Sequence, residues 1–140
     1  MNKEEATKFL VLVKVAYPSS YKNIDDMTAE ATVNMWYQTF SDVPYAIIEM
    51  AFDHFRKTST FAPTVADIYK ELKNLYYIAL SDVMTSDNKI KIELGNYIMQ
   101  HTSRYKECAG GNYQINYKSL ARLVGEKEGL FLEGGQADGS

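Results

Sequence analysis

The chain has 140 residues, 46% hydrophobic and 13% aromatic, enough for one hydrophobic core with an appendage but not for two ordinary domains. Its formal net charge of −3 argues against a protein whose main task is to clamp many phosphates, because that task needs clustered Lys and Arg. Cys108 is the only cysteine, which excludes an intrachain disulfide and a cysteine-built zinc site and suits a reducing cytoplasm.

The N-terminus lacks the basic run and apolar core of a signal peptide. The longest apolar stretch, Phe9 to Val13, is far shorter than a membrane span, so no membrane partner is expected. Asn2 suits a helix N-cap with Glu5 three residues later, and Phe9, Leu12, Val13 and Ala16 then recur at helical spacing until Tyr17-Pro18 stops the helix. After a polar connection, Thr28 is the expected N-cap of a second helix, whose stripe is Ala29, Val33, Trp36, Tyr37 and Phe40. Val43-Pro44 breaks the pattern, and a third helix starts near Pro44 with Tyr45, Ile48, Phe52 and Phe55 on its inner face, widened by Ile47 and Ala51.

Thr64 and Asp67 form a capping-box-like start for a fourth helix, with Val65, Ile68, Leu72, Leu75 and Ala79 as its stripe. That stripe has heptad spacing but covers only about two heptads, fewer than the three or four a coiled coil needs, so lateral packing is the expectation. Thr85 to Asn88 is a break with cap chemistry. Ile90, Leu94, Tyr97, Ile98 and His101 are expected to line the inner face of a fifth helix despite Gly95, which costs about 1 kcal/mol relative to Ala. Beyond Cys108 to Asn112, Tyr117 to Val124 suits a short helix, and the glycine-rich end from residue 134 has nothing to bury.

The fold class is therefore all-α: a small bundle of about four helices with a further helix and a partly disordered C-terminal tail. The chain divides into a helical N-terminal domain over residues 1–82, a helical extension over 83–133 expected to bind a partner, and a disordered tail over 134–140.

No chemistry-bearing constellation appears. His54 and His101 lie on different helices without a metal-binding pattern, and Cys108 has no identifiable catalytic partner. Gly110-Gly111 and Gly134-Gly135 do not form a phosphate-binding loop. The reading is that the chain is not an enzyme and needs no metal or cofactor. Tyr69, Tyr76, Tyr77, Tyr97, Tyr105, Tyr113 and Tyr117 invite a base-stacking role, but no basic cluster borders them and packing is the stronger account. A helix-turn-helix reader would rely on Lys70, Lys73 and Asn74, opposed on the same helix by Asp67 and Glu71.

One ordered string of segments carries a resemblance. A Met-Asn-Lys-Glu-Glu helix ends in Ala16-Tyr17-Pro18; Trp36-Tyr37 follows, then Asp42-Val43-Pro44-Tyr45, then Ser59-Thr60-Phe61-Ala62-Pro63-Thr64-Val65-Ala66-Asp67-Ile68. In order and spacing these resemble the replicative helicase loader/inhibitor family of phages of Gram-positive bacteria, over about the first half of the chain. The resemblance implies a folded N-terminal domain, with Trp36, Phe40, Ile48, Phe52, Ile68 and Leu72 as core rather than contacts. A C-terminal part would bind a replicative DNA helicase or a helicase loader ATPase, with an origin-binding protein as a further partner, in the host cell cytoplasm.

It transfers no catalytic residue, and its usual loose second half contrasts with the ordered pattern from Ile90 to His101. Leu120, Leu123, Val124, Leu130, Phe131 and Leu132, flanked by glycines, are the expected partner-binding residues; packing of that segment on the chain's own bundle is the competing account. The alternative function is a small helical DNA-binding regulator of phage gene expression or replication. The low net positive charge counts against it.

Overall fold

In a computed structural model, residues 1–107 are described. They form five helices, α1 (Lys3–Ala16), α2 (Asp26–Thr39), α3 (Tyr45–Arg56), α4 (Val65–Thr85) and α5 (Lys89–Thr102), closed by a 3-10 turn at Ser103–Tyr105. There is no strand among the described residues. The all-α expectation holds.

Most helix starts follow the predicted chemistry. Asn2 and Glu5 make a reciprocal capping box on α1, each accepting from the other's backbone N–H at 2.8 Å. Thr64 and Asp67 do the same on α4 at 3.1 and 2.9 Å. Helix α2 differs: it begins three residues before the expected position, because Asp25 rather than Thr28 caps it. The Asp25 carboxylate accepts from the Thr28 N–H at 2.7 Å. That hydrogen bond from the Thr28 backbone holds the carboxyl below the usual carboxylate range. Asp is at least as good a cap as Thr, and the anion also favours the helix N-terminus.

The core joins α1, α2, α3 and the first half of α4. Phe9 of α1 sits edge-on to Trp36 of α2 (ring centroids 5.0 Å apart) and to Phe52 of α3 (5.5 Å), so one ring ties three helices together. Trp36 stacks on Phe40, and Ile48, Ile68 and Leu72 complete the interior. All six expected core residues are buried.

On α1 the inward stripe is Ala6, Phe9, Leu10 and Val13, whereas Leu12 and Ala16 are exposed. Two overlapping stripes at helical spacing share Phe9 and Val13, and the placement of α2 and α3 selects the one that includes Ala6 and Leu10. The N-terminal amine of Met1 is drawn into the fold. It donates to the carbonyl oxygens of Phe40 and Ser41, both at 3.3 Å, and of Val43, where α2 ends and the turn into α3 begins.

Helices α4 and α5 form an antiparallel hairpin. The division expected after residue 82 falls in the last turn of α4. On α5 the packed residues are Gly95, Ile98 and Thr102, not the expected set: Ile90, Leu94 and Tyr97 face outward, His101 is half-buried, and only Ile98 of that stripe is buried. Gly95 is the reason. A Cβ there would lie 2.7 Å from Val83 Cγ2 and 3.1 Å from the Ala79 carbonyl oxygen, so the helices meet on the glycine side and the bulkier stripe turns away.

Candidate partner-binding surfaces

The six residues expected to contact a partner, Leu120, Leu123, Val124, Leu130, Phe131 and Leu132, lie outside the described residues, as do Cys108, Tyr113 and Tyr117. The point at which the chain leaves for that segment is well defined. After α5 the backbone turns so that Tyr105, 1% exposed, enters the main core against Phe40 and Tyr69, with centroids 6.2 and 5.1 Å away.

Arg104 beside it forks onto Asp42 through Nε and a terminal nitrogen at 2.5 and 3.0 Å, and also donates to the Thr39 carbonyl and the Tyr105 hydroxyl. The Tyr105 hydroxyl in turn donates to Asp42 at 3.4 Å. Burial pushes the Asp42 carboxyl up, but hydrogen bonding and charge from Arg104 outweigh it, and the net shift is downward. Burial, reinforced by the Asp42 charge, pushes the Tyr105 phenol up, so it remains a neutral donor. This clasp fixes residues 104 and 105 to the α2–α3 turn, and the C-terminal segment starts from there.

The other described candidates divide into packing and surface. Tyr69 and Tyr105 are core partners, Tyr76 and Tyr77 sit edge to face at 5.0 Å, and Tyr97 covers His101 at 4.7 Å. Base stacking by Tyr69 or Tyr105 would require dismantling the core. His54 Nδ1 lies 2.7 Å from Glu71 Oε1, joining α3 to α4, and no cluster of three or more metal-binding side chains occurs among the described residues. Lys73 is buried and Lys70 half-buried, so the α4 face proposed for reading DNA is largely turned inward. No helix among the described residues is long and apolar enough to cross a membrane.

Two exposed apolar features have no signal in the sequence. Phe61 is 79% exposed on a loop set by its neighbours: Ser59 Oγ accepts from the Phe61 N–H and donates to its carbonyl, while Tyr17 Oη donates to the Ser59 carbonyl at 2.8 Å. The outward stripe of α5 is the second. Residues 58 to 63 carry turn chemistry that signals a loop, but nothing in their pattern tells which way the ring points.

Residues 1–69 match the family model for the N-terminal domain of the phage gene 39 product, the helicase loader/inhibitor. No curated protein and no solved structure matches the chain. The matched stretch contains α1 to α3 and the start of α4, with every segment that carries the resemblance.

Proposed function

Since residues 1–69 are an N-terminal domain of the phage helicase loader/inhibitor family, we propose that the chain is a phage DNA-replication accessory protein that binds the replicative helicase or its loader ATPase in the host cytoplasm and controls helicase loading or activity by occupancy. The family match carries this reading. Its domain is a helicase-binding accessory unit rather than a catalytic one, and nothing in the mechanism calls for a cofactor.

The partner contact is assigned to the extension at residues 83–133, through Leu120, Leu123, Val124, Leu130, Phe131 and Leu132, with residues 1–82 as the helical domain that carries it and 134–140 as the tail. An apolar segment that orders on a partner spends part of its contact energy on ordering and can cover a broad surface. Bound to an ATPase, it shifts the conformational equilibrium only as far as its affinities for the two states differ. An origin-binding protein is the expected acceptor of the delivered helicase.

The test is capture of host and phage replicative helicases and loaders, without nucleic acid, by the full chain, by a truncation ending at Glu107, and by a full-length variant with Leu130→Ser, Phe131→Ser and Leu132→Ser. Ending at Glu107 keeps Arg104 and Tyr105 and with them the core. Retention by the full chain alone supports the function and the site. Retention by all three keeps the function and moves the contact onto the helices. Capture by none, with active components, overturns the reading in favour of the DNA-binding regulator, which predicts salt-sensitive DNA binding weakened by Lys70→Ala.

A further inference from the structure

The groove between α1 and α2 has an apolar floor of Leu10, Val11, Ala29 and Val33, with Lys3 and Lys14 on its α1 rim and an open volume of about 340 Å³. Val11 is 55% exposed there. Both lysines are exposed and neither makes an ion pair among the described residues. Glu30 is the one acid lining the groove. The floor is apolar surface left uncovered by the bundle, with positive charge at both ends.

The sequence beyond Glu107 contains a segment of matching character, Glu128-Gly129-Leu130-Phe131-Leu132-Glu133, an apolar triplet bracketed by acids. We propose that in the unbound chain this segment seats in the α1–α2 groove, with Glu128 and Glu133 against Lys3 and Lys14 and the apolar triplet on the floor. The spacings agree. Eleven residues of helix separate the two lysines by about 16.5 Å along the axis, and five residues of extended chain separate the two glutamates by about 16.5 Å.

Reach is not limiting. A connection of twenty residues, the length from 108 to 127, spans about 25 Å root-mean-square under coil statistics, against a radius of gyration of about 13 Å for a domain of this size. Such a tether gives an effective concentration on the order of millimolar, so a contact too weak to hold a free peptide still holds the attached one. The α5 stripe fits the segment less well. Its Lys91 already faces Asp82 at 3.6 Å, and Glu93 lies one turn before Tyr97 on the same side.

Docking stands whether or not the chain binds a helicase. Its regulatory consequence rests on that reading: Leu130, Phe131 and Leu132 are also the residues assigned to the partner, so the groove and the partner compete for them, and the intact chain binds more weakly than a free tail.

The experiment compares amide spectra of the isotopically labelled full chain with those of the full-length Leu130→Ser, Phe131→Ser, Leu132→Ser variant, with no helicase present. The expected result is a set of concentration-independent differences at Lys3 to Lys14 and Ala29 to Val33. Lys14→Glu should remove most of them, and Glu133→Lys added to Lys14→Glu should restore them. Val11→Glu, at an exposed position, should abolish them while far-UV circular dichroism stays unchanged. Absence of differences in the groove, differences confined to Ile90 to Tyr97, or differences that grow with protein concentration would each overturn the proposal. Helicase capture is read separately, so its failure leaves this result standing.

Discussion

The α1–α3 region and the α4–α5 hairpin are both helical and both continuous with one chain, yet they are held in different ways. The first is built on large rings meeting edge to face, with Phe9 touching Trp36 and Phe52. The hairpin closes on small residues, where Gly95 lets α5 approach the Ala79 backbone, and it rejoins the main core through Tyr105. In the first region packing depends on volume that must be filled, in the second on volume that must stay empty. The two respond to opposite kinds of substitution.

The largest expected effect is removal of a ring that fills three-helix space. Phe9→Ala should cost about 3–5 kcal/mol in denaturant unfolding and leave little folded protein at physiological temperature. Tyr105→Ala asks whether the hairpin is a separate unit. If its return to the core matters as its burial indicates, the loss is about 3 kcal/mol and amide exchange accelerates in α5 and in the α2–α3 turn together; acceleration in α5 alone would separate the two regions.

Gly95→Ala sharpens the contrast. The helix-propensity gain of about 1 kcal/mol is outweighed by overpacking against Val83 and Ala79, typically about 1–3 kcal/mol, so the variant should be slightly less stable, with the change in exchange concentrated in α4–α5. Blocking the Met1 amine by acetylation or an N-terminal extension leaves the carbonyls of Phe40, Ser41 and Val43 short of donors. A loss of about 1–2 kcal/mol is expected in thermal or chemical melts, relative to the same addition at the C-terminus.

The smallest effect concerns the clasp. Asp42→Asn should cost about 0.5 kcal/mol near neutral pH, since the pair is about half exposed and screened. The sign with pH follows from the lowered carboxyl. The contribution of Asp42 is complete above its unfolded value near 4 and disappears as pH falls through the lower folded value. Wild type and variant should therefore converge in stability in acid, and convergence at high pH instead would contradict the assignment.

Much of the helical plan was legible because its signals are local. Capping boxes at Asn2 and Thr64, the Tyr17-Pro18 stop and the Pro44 start depend on residues a few positions apart, and periodicity located Trp36, Phe52, Ile68 and Leu72 in the core. Errors arose where two local solutions were equally good and a distant contact chose between them. Both stripes of α1 are helical, and only the position of α2 excludes Leu12. On α5 the apolar stripe of Ile90, Leu94 and Tyr97 signalled burial, but the neighbour accepts the glycine side.

The clasp at Asp42 and Arg104 joins residues 62 positions apart and has no signature in sequence. The surface features are harder still. That Phe61 points outward, or that Lys3 and Lys14 bracket an open floor, depends on what the other helices leave uncovered.

Trp36 is the one tryptophan in the chain, and it lies between Phe9 and Phe40 in the aromatic core, 2% exposed. Indole emission therefore watches a single region, while the tyrosines of α4 and α5, Tyr76, Tyr77 and Tyr97, absorb without obscuring it under excitation at the red edge. Unfolding recorded by that emission and by far-ultraviolet ellipticity gives two independent clocks on one molecule. Coincident curves mean the hairpin and the aromatic bundle melt as one cooperative unit; a lag between them resolves the hairpin's own transition without any label.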